Sequence, residues 1–223
     1  MSRGKSQFRK NAKTLARIRE KSSNKCILIV TEGKNTEPNY LKALRKKLGL
    51  KAADIEVVHP EGTDPVTLTQ AAIALFKKRQ KQQLKAPYDE VWVVFDLEKT
   101  HDERRAKAKE ARNLKGAKGI RFAEADPSFE FWRLLHETYT AKSFDSCEAV
   151  TKELKEKCPE YTKSENPSAE TLNKIPFAVA NAQRLRKDSE QSGRTTPATT
   201  VDLLVRTMNE ATRRDLQLPL QKS

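Results

Sequence analysis

The stretch Ile27-Leu28-Ile29-Val30-Thr31-Glu32-Gly33 constrains this chain more than any other. An apolar, β-branched run of this length, stopped by a turn signal and followed by a helical pattern, reads as a strand covered on both faces, as strands of parallel sheets are. Glu32 then falls at the carboxyl end of that strand, the rim at which open α/β sheets bind ligands. Val91-Trp92-Val93-Val94-Phe95-Asp96-Leu97-Glu98 repeats the design and ends in two carboxylates two residues apart. If the two strands are neighbours, Glu32, Asp96 and Glu98 converge, because residues two apart on an extended segment face the same way.

The rest of the chain alternates. A helix from Thr36 carries Glu37 and Pro38 in its first turn, where the helix dipole favours an acid and proline is tolerated, and then Tyr40, Leu41, Leu44 and Leu48 on one face until Gly49. Residues 54–59 read as a strand, 65–84 as a helix with Leu68, Ala72, Leu75 and Phe76 at helical spacing, 103–114 as a charged helix and 120–123 as a short strand. This order predicts an α/β fold: a parallel sheet of about four strands flanked by helices, with right-handed crossovers. Beyond it the pattern is helical, with Asp126 as an N-cap before Pro127, then helices over 129–135, 144–157, 176–186 and 201–212 joined by polar connectors. The predicted organisation is a basic, flexible arm over 1–25, an α/β domain over 26–140 and a helical extension over 141–223.

Charge narrows the partners. With 44 Lys and Arg against 30 Asp and Glu, the formal charge is +14, a field that attracts polyanions, nucleic acid ahead of a membrane because no amphipathic anchor stands out. Nine of the cations, from Arg3 to Lys25, face only Glu20 in the first 25 residues, a segment with too little apolar surface to fold without a partner. Cys26, Cys147 and Cys158 have neither disulfide-framework density nor CxxC spacing, which points to reduced thiols in the cytoplasm. No apolar stretch approaches the roughly 20 residues of a membrane span, and the first residues lack the apolar core of a secretory signal, so a cytoplasmic protein is expected. Gly33 stands alone, without a Walker-type glycine loop, which argues against ATP hydrolysis by this chain.

Glu32, Asp96 and Glu98 offer hard oxygen ligands, suited to Mg²⁺ or Mn²⁺ and not to zinc. Carboxylates gathered at a strand rim repel one another, and a cation bridging to phosphate explains them best, a site able to activate water and stabilise an in-line displacement at phosphorus. Each acid also has a plainer role as helix cap or solvated turn residue. Glu37 could add a metal oxygen or serve the helix dipole. Glu130 could face the same rim or begin a helix, and His101 could act as acid or base or sit in a solvated loop. Lys34, Lys99 and Arg133 lie near the rim as candidates for holding phosphates, whereas His59 and His136, without an HExxH partner, are assigned structural roles.

Four stretches resemble the ordered motifs of the RloB family: Thr31-Glu32-Gly33-Lys34-Asn35-Thr36-Glu37-Pro38-Asn39-Tyr40-Leu41, Val94-Phe95-Asp96-Leu97-Glu98, Ser128-Phe129-Glu130-Phe131-Trp132-Arg133-Leu134-Leu135-His136 and Thr196-Pro197-Ala198-Thr199-Thr200-Val201. The resemblance implies a TOPRIM-like fold, a part in phage defence by abortive infection, the TOPRIM glutamate at Glu32 and the acidic pair at Asp96 and Glu98. Glu98 departs from the usual Asp-x-Asp by one methylene. The resemblance further implies an ABC- or AAA-type ATPase encoded nearby. The expectation is therefore a Mg²⁺- or Mn²⁺-dependent nuclease acting on DNA or RNA, tRNA included, held or licensed by that ATPase, with homo-oligomerisation left open. The alternative is a non-catalytic nucleic-acid- or ATPase-binding subunit of a defence complex.

Overall fold

The computed structural model describes residues 25–52, 54–82, 85–98, 101–212 and 215–220, without the side chain of His101. The basic arm up to residue 24 and Lys99 lie outside the described residues. Five strands form one sheet in the order β2-β1-β3-β4-β5. β1 (Ile27–Thr31) pairs in parallel with β2 (Ile55–Val58) on one side and β3 (Glu90–Asp96) on the other, and β3 pairs in parallel with β4 (Ile120–Asp126). The sheet has one strand more than the sequence suggests: β5 (Ala198–Thr199) runs antiparallel against Ala125 and Asp126. A two-residue strand has no alternation to read, and its pairing is decided by β4.

Eight helices are described: α1 (Thr36–Lys47), α2 (Pro65–Gln80), α3 (His101–Asn113), α4 (Phe129–Leu134), α5 (Cys147–Lys157), α6 (Ala169–Asn173), α7 (Ile175–Ser192) and α8 (Val201–Glu210). The α/β architecture with helices at its C-terminal end is thus as the sequence implies. Asp126 is not the cap of α4. It is the last residue of β4, and the extended Ser128 occupies the N-cap position instead, because pairing with β3 and β5 keeps the chain extended past residue 123.

Alternation along the strands divides the core. Ile27, Ile29, Trp92, Val94, Ala123 and Ala125 pack in one cluster with residues of α1, α4, α5, α7 and α8, while Leu28, Val30, Val91, Val93 and Phe95 pack in the other with Leu68, Ala72 and Ala108 of α2 and α3. Both faces of β1 and β3 are therefore covered, the arrangement that makes parallel strands read as continuous apolar runs. It also places α1 and α2 on opposite faces. The chain leaves β1 toward β2 on one side and returns to β3 on the other, so the strand order reverses between β1 and β3, and their carboxyl ends flank the crevice where doubly wound sheets bind ligands.

Candidate functional site

β1 and β3 end side by side at that crevice. The Glu32 N–H donates to Val94 O at 3.0 Å, and its side chain reaches across the strands, Oε2 accepting from the Asp96 N–H at 3.1 Å. The same oxygen takes Arg104 Nη2 of α3 at 2.5 Å, with each of the two side chains 12% exposed. Arg104 directs Nε to Asp96 O at 2.9 Å and Nη1 to Thr63 O at 3.2 Å. One guanidinium so ties the ends of β1 and β3 to the loop after β2. Sequence reasoning missed it, since α3 looks solvated throughout. The available signal was positional: Arg104 stands in the first turn of a helix and Arg105 just after it, where the dipole disfavours cations, and they answer the acids Glu32 and Asp126.

Asp96 is treated in the opposite way. Its Oδ1 is buried and accepts no hydrogen bond among the described residues. Burial pushes its carboxyl well above the ordinary carboxylate range, and the charges of Glu37, Glu130, Glu32 and Glu98 act in the same direction. Burial raises Glu32 as well, against the pull of Arg104. Glu98 departs from the expectation of an extended segment: its φ is 46°, its side chain is exposed and its N–H donates to Pro127 O at 2.8 Å. The backbone enters the left-handed region there, which a non-glycine residue rarely adopts. Glu98 consequently adds charge near Asp96 and Glu32 from the solvent side.

Glu37 is buried, and its Oε1 accepts from the Gly33 N–H at 3.1 Å. A Cβ on Gly33 would stand 2.0 Å from Glu37 Oε2, so any larger residue here would displace the Glu37 carboxylate. Burial raises the Glu37 carboxyl, and Glu130 raises it further. Glu130 lies 3% exposed in a corner beside the crevice, where Oε2 accepts from Ser128 Oγ at 2.8 Å and Oε1 from the Tyr161 hydroxyl at 2.9 Å, with Lys163 Nζ at 3.4 Å. Tyr161 and Lys163 were not read from the sequence, because 159–173 presents itself only as a polar connector.

The proposed phosphate holders are dispersed. Lys34 is exposed on the turn before α1. Arg133 is 6% exposed, its guanidinium 5.5 Å from the Tyr40 ring and 5.4 Å from the Tyr161 ring, with Nε lacking a partner; it braces the corner from inside and does not face the crevice. His101 opens α3. His59 lies with Nδ1 3.2 Å from Thr31 O. His136 is buried with Nδ1 3.0 Å from Trp132 O and Nε2 3.0 Å from the Tyr40 hydroxyl. A carbonyl can only accept, so Nδ1 carries the proton and Nε2 accepts from Tyr40. Burial, helped by Arg133, lowers this histidine to about 3. Cys147 at the start of α5 is pushed up to about 11 by burial and then by Asp96.

Among the described residues, no three His, Cys, Asp or Glu side chains are set to hold a metal ion as they stand. Asp96 and Glu32 nevertheless suit a hard divalent cation in chemistry, being oxygen donors at one rim, and the orphaned Asp96 Oδ1 is an acceptor without a donor. Among the described residues, Arg104 engages Glu32 through Oε2. A family model described as RloB-like protein matches residues 27–208 of the chain. No curated protein and no solved structure matches it.

Proposed function

The chain belongs to the RloB-like family, and on that premise we propose that it is a TOPRIM-type nuclease, dependent on Mg²⁺ or Mn²⁺, that hydrolyses phosphodiesters of DNA or RNA, tRNA included, in antiphage defence under the control of an ATPase partner. The observation that carries the reading is the orphaned Asp96 Oδ1 beside Glu32 in the crevice between β1 and β3. A buried polar atom without a partner costs about 1–3 kcal/mol, and more for a charged group, so such an atom calls for a ligand. Asp96 with Glu32 would hold the cation, and Glu98 would act from the outer edge. When bound, the cation supplies an activated water and neutralises charge on the phosphoryl oxygens.

The chain's own residues have separate tasks. Glu32 is oriented by the Asp96 N–H and by Arg104, which keeps its carboxylate at the rim between two strands. Glu37 closes the Gly33 turn and so sets where β1 ends and α1 begins. Glu130, held by Ser128 and Tyr161, adds negative potential at Asp96 while Lys163 lies at the edge, placed to meet an incoming phosphate.

A second reading, a non-catalytic nucleic-acid- or ATPase-binding subunit, has its own support in the Arg104 guanidinium seated on Glu32 and in the solvent-facing Glu98. The two part on one experiment. The purified full chain, with and without the neighbouring ATPase, is given labelled DNA, RNA and tRNA in Mg²⁺, Mn²⁺ or EDTA. Metal-dependent cleavage that falls about 10³-fold in Asp96→Asn is expected, since several kcal/mol of charge stabilisation at about 1.4 kcal/mol per decade would be lost. Absence of cleavage under every condition, with Asp96→Asn indistinguishable from wild type, would establish the binding-subunit reading.

A further inference from the structure

Along α1 the surface changes sign. A cavity of about 740 Å³ lies between this helix and residues 166–172, lined by Lys42, Arg45, Lys46 and Lys47 on the helix and by Asn166 and Leu172 opposite. No acidic side chain lines it among the described residues. Lys42 and Lys46 are exposed and form no ion pair among the described residues, whereas Arg45 is fixed by Nη1 on Ile55 O at 3.1 Å and Lys47 by Nζ on Asn173 Oδ1 at 2.6 Å. Some surface cations elsewhere sit on acids: Lys142 on Glu153 at 2.8 Å, Arg112 on Glu124 at 2.5 Å and Lys174 on Glu137 at 2.7 Å. The nearest acids in sequence, Glu165 and Glu170, stay outside the groove, and Glu170 pairs with Lys174 at 3.0 Å. The helix dipole accounts for cations in the last turn. It does not account for Lys42, a full turn earlier.

One end of the groove is closed, where Thr36 Oγ1 donates to Lys163 O at 3.3 Å and Asn39 Nδ2 to Ser164 O at 2.8 Å. Its helix side runs from Lys42 to Lys47, roughly 8 Å. No aromatic side chain lines it, so bases would find nothing to stack on, and recognition would be of phosphates, salt-dependent and tolerant of sequence.

We propose that the groove between α1 and residues 166–172 binds the phosphate backbone of a nucleic acid, a statement that does not rest on the nuclease reading. The test is fluorescence anisotropy of the full chain with one labelled oligonucleotide, single-stranded and as a duplex, in EDTA across about 50–200 mM salt. Lys42→Gln with Lys46→Gln should weaken binding about tenfold or more near 0.1 M salt and flatten the log–log salt slope by about 1.5, as two lost phosphate contacts require. Lys115→Gln with Lys118→Gln removes the same charge from exposed positions after α3 and should leave the slope unchanged. Equal losses in the two double variants, or an unchanged slope in the first despite an unaltered melting temperature, overturn the proposal. The wild-type chain separates the two readings: intact binding in EDTA with no cleavage in Mg²⁺ or Mn²⁺ would leave the groove standing while the nuclease reading falls.

Discussion

Two neighbouring regions of one rim treat a buried acid in contrasting ways. In the corner where α4 meets residues 158–164, both oxygens of Glu130 accept hydrogen bonds and a lysine stands by. In the crevice between β1 and β3, one oxygen of Asp96 accepts none among the described residues, and the Arg104 guanidinium is turned to Glu32 and to the Asp96 main chain. Satisfied buried polar groups stiffen a fold, whereas a deficient one weakens it unless a ligand completes it. The corner is thereby a brace, and the crevice is where binding energy can be gained.

The largest effect should come from the cation that the crevice already contains. Arg104→Met leaves Glu32 buried opposite no charge, and breaking such a pair costs about 3 kcal/mol or more. If the crevice accepts a divalent cation, Mg²⁺ or Mn²⁺ should restore part of the lost melting temperature in this variant and raise it less in the wild type; equal metal responses in both would remove the distinction between the two regions. Glu130→Ala comes next. It strands the Ser128 and Tyr161 hydroxyls in a buried corner, a cost of about 2–3 kcal/mol read by urea unfolding, and no metal ion should recover it.

The smallest effect is set by pH and belongs to the brace. His136 titrates near 3 in the folded chain, below its ordinary value of about 6.5. Between those values the unfolded chain takes up a proton that the folded chain refuses, so this group's contribution to stability is complete above pH 6.5 and declines as pH falls toward 3. At pH 5 the loss is about 2 kcal/mol. Denaturation of wild type and His136→Gln at pH 7 and pH 5 isolates it: the variant should lose less stability on acidification, and parallel losses would mean that His136 is not the group responsible.

Much of this was legible in the chain. Continuous apolar runs bounded by Glu32-Gly33 and Asp96-Leu97-Glu98 are local patterns, and buried parallel strands require them, so β1, β3 and the placing of Glu32 and Asp96 at one rim could be read directly. The turn at Glu98 could not, because its φ of 46° follows from where Pro127 O accepts its N–H, a contact between segments far apart in sequence. Arg133 and Arg104 exchanged expectations for the same reason. Both are cations near acids in the sequence, and only packing sends one between two tyrosine rings and the other onto Glu32.

The sequence by itself determined the periodicities, and through them the α/β order, the covered strands and the net charge of +14, since each depends on residues within a few positions of one another or on composition alone. Tertiary structure decided which polar atoms found partners. Among the described residues it left Asp96 Oδ1 unpaired, gave Glu130 two donors and left Lys42 and Lys46 of α1 on a groove lined by no acid, because a hydrogen bond or an ion pair depends on distances between elements that no local pattern encodes.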